Sequence, residues 1–270
     1  MKKLAVLGVG NMASAIIGGI LNSGLGTASD LRLFDRQPAK LAPFVEKGAY
    51  AATSLTDAVT DSDFILLSVK PQNLPEVLGE LANADLDGKC FISICAGVST
   101  SIIEKRLGRK IAIVRVMPNT PLQIGLGVSA LSRNSEASDE QFAFAKAVFE
   151  SSGMVLTLDE SKMNAIISVN GSSPAYFYYF IDAMVKSAKA QGLDCDNLVE
   201  AVCKTVIGSA EMLMRSGKTP EELIRAVTSP KGTTEKAMIV LQNADVASTI
   251  DSAMRACTAR AEEMAAELEN

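Results

Sequence analysis

Histidine is absent from all 270 residues of the chain. That removes the commonest metal ligand and the side chain that most often moves protons near neutral pH. A Ser/His/Asp hydrolase, a zinc enzyme of the histidine type and a histidine-dependent hydroxy-acid dehydrogenase are therefore disfavoured, and no metal is expected. An excess of basic residues is missing too. A net charge of -5 and a pI near 5.0 leave no basic face for nucleic acid or for an anionic membrane. No run is long and apolar enough to span a bilayer. The Lys2-Lys3 start breaks at once into a glycine turn, so no targeting segment is expected. Cys90, Cys95, Cys195, Cys203 and Cys257 are odd in number and form no C-x-x-C pair, which suits reduced thiols in the cytoplasm.

What the chain does have is a 48% hydrophobic content, ample for one large or two ordinary domains. The apolar residues Leu4, Ala5, Val6 and Leu7 run straight into Gly8-Val9-Gly10-Asn11-Met12-Ala13. Strand, G-x-G-x-x-A turn and small-residue helix together read as a dinucleotide fingerprint. Gly8 permits the turn, Gly10 lets backbone approach a pyrophosphate, and Ala13 allows close packing of helix on strand. Such a turn also joins strands to helices for purely structural reasons, so the motif alone decides little.

Leu31–Phe34 reads as a second strand ending in Asp35-Arg36. Asp35 stands where an acid would bind the adenosine ribose, whereas Arg36 would accept a 2'-phosphate. The two neighbours point to different cofactors, and a solvated charge pair is the plain alternative. A helix is expected over 38–47 and a short strand over 49–52. The apolar run 64–69 predicts a parallel strand covered on both faces. It ends at Lys70-Pro71-Gln72-Asn73, where Asn73 is expected to cap a helix and Lys70 lies at a strand's carboxyl end, either in a ligand site or simply at the surface. Strands over 90–95 and 111–116 follow, the second leading into Met117-Pro118-Asn119-Thr120-Pro121. Strands at 128–131 and 155–158 flank a helix opened by the capping box Ser138-Asp139-Glu140-Gln141. This alternation implies a doubly wound parallel sheet over residues 1–160.

Residues 161–270 carry no strand pattern and are expected to form an all-helical second domain. Ile250, Met254, Cys257, Ala261, Met264 and Leu268 make a narrow apolar seam, and 198–213 is apolar on more than one face. Both stretches leave an obligate oligomer open. In Asn170-Gly171-Ser172-Ser173-Pro174-Ala175-Tyr176, a serine cap and proline start a helix after a glycine break. In Thr228-Ser229-Pro230-Lys231-Gly232-Thr233-Thr234-Glu235, hydroxyls, glycine and lysine precede a helix expected near Glu235, an arrangement that suits a carboxylate or simple capping.

Taken together, these motifs resemble the pyrroline-5-carboxylate reductases along essentially the whole chain. The resemblance rests on the opening G-x-G-N-M-A, Val69-Lys70-Pro71, Ala96-Gly97-Val98, Met117-Pro118-Asn119-Thr120-Pro121, the Gly171 to Tyr176 run, and Ser229-Pro230 with Gly232-Thr233-Thr234. It implies an N-terminal Rossmann-type domain followed by a helical dimerisation domain, working as a homodimer or a ring of dimers on a small-molecule substrate. By the same resemblance Leu7, Gly8, Val9, Gly10, Asn11, Met12 and Ala13, with Ser68, Val69, Lys70 and Pro71 and with Ile94, Cys95 and Ala96, would line the cofactor. NADPH is expected, with NADH the other option, and the choice turns on Asp35 and Arg36. The substrate carboxylate would lie at Gly232, Thr233 and Thr234 near Ser229, with Asn119 also on the substrate side and Thr234 bonded to the ring nitrogen. Two positions depart from the family's habit: Asn170 stands where serine is usual, and Lys231 where glycine is usual.

The missing histidines fit an imine. An imine can be protonated before hydride arrives, so no alkoxide forms and no strong acid is needed. Two other readings stay open. A beta-hydroxyacid-dehydrogenase-like reductase would need a catalytic lysine in the helical half, with Lys162 or Lys186 as candidates. A dinucleotide sensor without catalysis would bind cofactor and turn nothing over.

Overall fold

The computed structural model describes residues 1–193 and 195–269. Four apolar residues in a row, buried at every position, form β1 (Leu4–Leu7), and α1 (Asn11–Ser23) follows the glycine turn. The chain then builds β2 (Leu31–Phe34), α2 (Ala42–Val45), β3 (Tyr50–Ala51), α3 (Leu55–Thr60) and β4 (Phe64–Leu67). The helix expected over 38–47 is split, because Pro38–Lys40 forms a 3-10 turn before the short α2. Next come α4 (Leu74–Leu81), β5 (Cys90–Ser93), α5 (Thr100–Leu107), β6 (Ala112–Met117), β7 (Gly127–Arg133), α6 (Asp139–Glu150) and β8 (Gly153–Thr157). The Ser138/Gln141 capping box forms as expected. Asn73 makes no side-chain cap, because a 3-10 turn over Pro71–Asn73 already leads the chain into α4.

The eight strands order as β3-β2-β1-β4-β5-β6-β7-β8. The chain starts mid-sheet, runs outward to β3, returns past its start to β4 and continues the other way. The reversal beside β1 makes a crevice at the strands' carboxyl ends, where ligands gather in such sheets. Alternate residues of β1 serve opposite faces. Leu4 and Val6 belong to a core with Ile16 and Ile17 of α1, while Ala5 and Leu7 belong to a second with Leu74 and Leu78 of α4.

The sheet is not wholly parallel: β7 runs antiparallel to β6, and β8 runs parallel to β7. The reason lies in the connection. Residues 118–126 hold two prolines and a 3-10 turn, Thr120–Ile124, and cannot make the crossover of about a dozen residues that a parallel return requires.

After β8 the described residues contain no further strand. They form α7 (Ser173–Ala190), α8 (Leu198–Ser216), α9 (Pro220–Val227), α10 (Thr233–Asn243) and α11 (Val246–Glu269). The chain divides into two compact units. One comprises Met1–Pro174 together with the chain from Cys257 onward, and the other is Ala175–Ala256. Within the first unit the end of α11 closes over the sheet's turns. Ala261 is buried, Leu268 packs on the core that holds Ala5 and Leu7, and the Leu268 carbonyl accepts from Arg106 at 3.1 Å.

The second unit is built differently. Its helices α7, α9 and α10 bury no residue, and α8 buries only Leu198. Ile207 stands 57% exposed and Met212 58% exposed, so the apolar stretch 198–213 lies open in the single chain. No helix among the described residues is long and apolar enough to cross a membrane.

Candidate functional site

The glycine turn is held by β2 and β4 on either side. Gly8 N donates to Phe34 O at 2.8 Å, and Ser68 N donates to Leu7 O at 3.0 Å. Gly8 adopts φ +90°, and a Cβ there would stand 2.8 Å from Ser68 O. Only glycine satisfies both the turn and that approach. Gly10 differs, for it has φ -88° and open space around it. Nothing in the folded chain demands glycine there, and the missing side chain leaves open space above the turn. Gly10 also N-caps α1 without a side-chain bond, so the first N–H groups of α1 stay free for an anion.

Asp35 is committed to this turn. Its Oδ2 accepts from Val9 N at 2.8 Å, its Oδ1 accepts from Gln37 N at 2.9 Å, and Lys40 Nζ lies 3.3 Å away. The carboxylate thus braces the loop and is neutralised by Lys40. Arg36, more than half exposed, pairs with Glu76 of α4. A cavity of about 460 Å³ opens here, lined by Gly8, Gly10, Asp35, Arg36, Lys40, Ser68, Lys70 and Glu76 among others. The sequence did not mark Lys40 or Glu76 as site residues, Glu76 reading only as a capping-box position for the helix after Asn73. A larger cavity of about 620 Å³ lies on another side of α1, between Ser14, Gly18 and the Leu122–Gly125 turn. It carries no charged side chain and does not match a phosphate.

The neighbouring strand ends meet the same crevice. Lys70 is exposed and Pro71 starts the 3-10 turn after it. Ile94 N donates to Leu67 O at 3.1 Å, and the Cys95 thiol donates to Val69 O at 3.4 Å. Burial pushes the Cys95 thiol up to about 11 and the Cys90 thiol up to about 12, so both are inert packing groups rather than nucleophiles. Gly97 takes φ +73°, and a Cβ there would meet Met264 Cβ at 3.2 Å, which seats α11 on the turn after Ala96. Val9 and Ala13 are buried beneath this surface, while Asn11 is exposed and Met12 half-buried on α1.

A buried polar cluster fixes the adjoining turn. Glu160 accepts from Thr100 N at 2.7 Å and from Thr100 Oγ1 at 2.6 Å at the start of α5. Arg115 of β6 lies 3.7 Å from Glu160 and donates to Asn164 Oδ1 at 2.6 Å. Burial pulls the Arg115 guanidinium below its ordinary value, and Glu160 counters that pull. An arginine inside the otherwise apolar strand Ala112–Met117 was the sequence signal for this cluster. Glu160→Ala would leave the buried Arg115 without its carboxylate and the Thr100 N–H without its acceptor, while Ser99 still caps α5. It should lower stability by about 3 kcal/mol in urea unfolding, and an unchanged midpoint would rule out the bracing role.

The carboxyl end of β6 is closed by side chains. Asn119 is buried, and its Oδ1 accepts from Val128 N at 2.8 Å. Asn170 is buried as well and lies in a π-type turn, Ile167–Gly171. That turn runs almost continuously into α7. Ser173 therefore donates to Val169 O at 2.5 Å, one helical turn back, instead of capping a fresh helix.

In the helical unit, Ser229, Gly232, Thr233 and Thr234 come together at the start of α10. Gly232 is the N-cap, with no side-chain cap, and its N–H donates to Ser229 O at 2.9 Å. A Cβ on Gly232 would overlap Ser229 Oγ at 2.4 Å. The helix begins at Thr233, earlier than expected, so the N–H groups of Thr233 and Thr234 belong to its uncapped first turn and can serve a carboxylate. Lys231 sits at φ +60°, a region that disfavours side chains with a Cβ, and its N–H donates to Glu235 at 2.9 Å. Lys231→Gly keeps that backbone bond and relieves the conformation. A gain of about 0.5–1 kcal/mol in thermal unfolding is expected, and a loss would show that the lysine side chain holds the loop.

The lysines of the rival reading fare poorly. Lys186 pairs with Asp182 at 2.7 Å, which pushes its ammonium above the ordinary value, away from the neutral amine a base requires. Lys162 is exposed in the 3-10 turn Glu160–Lys162.

Comparison with known proteins agrees along both units. Residues 160–264 match the family model described as pyrroline-5-carboxylate reductase dimerisation, and residues 3–97 match NADP oxidoreductase coenzyme F420-dependent. The chain is 36% identical over 265 residues to the pyrroline-5-carboxylate reductase of Vibrio alginolyticus, covering 97% of each. Among solved structures, a pyrroline-5-carboxylate reductase from Coxiella burnetii superposes with a TM-score of 0.89 at 31% identity, covering 97% of this chain and 98% of that one. A pyrroline carboxylate reductase of Plasmodium falciparum with NADP bound gives a TM-score of 0.89 at 27% identity, covering 98% of each.

Proposed function

The chain belongs to the pyrroline-5-carboxylate reductase family, and from that premise we propose how its residues divide the work. It is an NAD(P)H-dependent oxidoreductase that reduces the cyclic imine 1-pyrroline-5-carboxylate to proline, the last step of proline biosynthesis. One observation carries this reading: the match runs through the fingerprint half and the helical half alike, so cofactor and substrate machinery are both present.

NADP(H) is the cofactor, and the residues around the turn fit it. The free N–H groups at the start of α1 suit a pyrophosphate. Asp35, engaged by Val9, Gln37 and Lys40, adds no bare negative charge beside a 2'-phosphate, and Arg36 and Lys40 supply cations there. When bound, the reduced nicotinamide supplies the hydride that the imine carbon accepts. Ser68 to Pro71 and Ile94 to Ala96 form the floor beneath that ring.

In the helical part, residues 161–270, the N–H groups of Thr233 and Thr234 hold the substrate carboxylate, with Gly232 and Ser229 beside them. Thr234 Oγ1 hydrogen-bonds the ring nitrogen and fixes the imine's orientation. Its hydroxyl is a poor acid, so its contribution is position and polarity rather than proton transfer. The proton on nitrogen can come from solvent before hydride arrives.

The open apolar faces of α7 and α8 are covered by a second copy, and the working form is a homodimer or a ring of dimers. Its place is the cytoplasm, in keeping with its free cysteines.

A spectrophotometric trace at the nicotinamide band tests the reading. Loss of reduced cofactor on adding pyrroline-5-carboxylate is expected, faster with NADPH than with NADH. Turnover of a hydroxy acid with none of the imine would overturn the substrate, and binding without any oxidation would leave only a sensor.

A further inference from the structure

One face of α4 and of the turn before it forms a wall of the cavity beside the glycine turn. Asn73, Glu76, Val77 and Glu80 all line that cavity, at the i, i+3, i+4 and i+7 spacing that sets residues on a single helix face. The same cavity holds Arg36, Lys40 and Lys70 as cations and Asp35, Glu76 and Glu80 as carboxylates. Its charges therefore balance before any phosphate arrives.

The carboxylates differ in how firmly they are engaged. Asp35 accepts from Val9 N and Gln37 N and pairs with Lys40, so it belongs to the turn itself. Glu76 stands three residues after Asn73, where a capping-box carboxylate would accept the Asn73 N–H. That N–H instead donates to Lys70 O at 2.9 Å, closing the 3-10 turn Pro71–Asn73. Glu76 is thus not spent on the helix start. Its carboxylate goes to Arg36, which is its only hydrogen-bond or ion-pair partner among the described residues.

Arg36 and Glu76 are 59% and 67% exposed, so water screens the pair and it can open. Arg36 is also the cation beside Asp35, at the strand end where a 2'-phosphate would be received. The phosphate of NADPH and the Glu76 carboxylate therefore compete for one guanidinium. A phosphate that wins it leaves Glu76 as an unpaired negative charge on the cavity wall. NADH carries a hydroxyl at that place and leaves the pair closed.

We infer that Glu76 is a positioning residue that sets the choice of cofactor: it holds Arg36 against the 2'-phosphate and so narrows the preference for NADPH over NADH. The inference rests on the NADP(H) reading above and adds the side chain that limits that preference.

Fluorescence titration of the reduced nicotinamide gives the dissociation constants of NADPH and NADH for the full chain. Glu76→Gln keeps the size of the side chain and removes its charge. It is expected to tighten NADPH by about threefold to fivefold, the range an exposed ion pair can supply, and to leave NADH within about twofold. In an Arg36→Gln background the same change should alter NADPH affinity by less than about twofold, since no guanidinium is left to compete for. An equal shift for both cofactors would mean that Glu76 only shapes the cavity, and would overturn the inference. A gain for NADPH that persists in full without Arg36 would overturn it too, because plain repulsion between carboxylate and phosphate would then suffice. If Arg36→Gln weakens NADPH while Glu76→Gln changes nothing, the placement of the phosphate stands and the inference alone is lost. If Arg36→Gln leaves NADPH binding at the wild-type value, the phosphate lies elsewhere and the inference falls with that placement.

Discussion

Gly8→Ala and Gly10→Ala should fail in different ways, although only Val9 separates them. At Gly8 the backbone is at φ +90° and a Cβ would sit 2.8 Å from Ser68 O. Alanine there must shift β1 or β4, both of which are packed into the two cores. Strain and overpacking together should cost about 3 kcal/mol of stability, read as a fall in the urea midpoint with or without cofactor. At Gly10 the conformation is ordinary, and a Cβ would meet nothing within 4 Å. Stability should hold within about 0.5 kcal/mol, while NADPH affinity should fall by about tenfold or more, because the new methyl occupies space needed by the pyrophosphate. If Gly10→Ala bound NADPH as wild type does, the cofactor would have to lie elsewhere. If Gly8→Ala unfolded at the wild-type midpoint, the approach of the turn to Ser68 would not be tight.

Thr234→Ala is expected to lower kcat by about 10- to 100-fold, with the NADPH dissociation constant unchanged. The hydroxyl lies in the first turn of α10, whose N-cap is Gly232, so its removal takes away no cap and should leave the helix intact. Thr234→Ser should recover most of the rate. A merely structural threonine would respond otherwise: both substitutions would shift thermal unfolding, and kcat would follow folding. An unaffected rate in Thr234→Ala would remove the hydroxyl from the reaction.

Much of the architecture was legible because parallel strands buried on both faces leave an unmistakable record. β1, β4 and β5 are runs of four residues buried at every position. The direction of β7 left a weaker trace. It is written in the length of residues 118–126 rather than in the composition of the strand, and two prolines alone do not reveal which way the chain returns. The site was legible as spacing and not as orientation. Asp35 could be placed at the end of β2, but the choice of its carboxylate for Val9 N–H depends on how β2 lies beside the glycine turn. Arg115 and Glu160 are 45 residues apart in sequence and meet only through the β6 and α5 packing. The uncapped start of α10 lies two residues ahead of the Glu235 to which the sequence points, because glycine ends the loop where a hydroxyl residue is the stronger capping signal.

The course of α11 bears on how this protein can be dissected. Its later residues, from Cys257 onward, belong with the sheet, whereas its earlier ones belong with Ala175–Ala256. The helical unit is therefore an insertion within the nucleotide-binding fold rather than an appendage to it. A fragment ending at Pro174 would lack the helix turns that carry Ala261, Met264 and Leu268, and would expose Gly97 and the α5 surface to water. A faithful minimal version would have to excise Ala175–Ala256 and rejoin Pro174 to Cys257, keeping the later turns of α11.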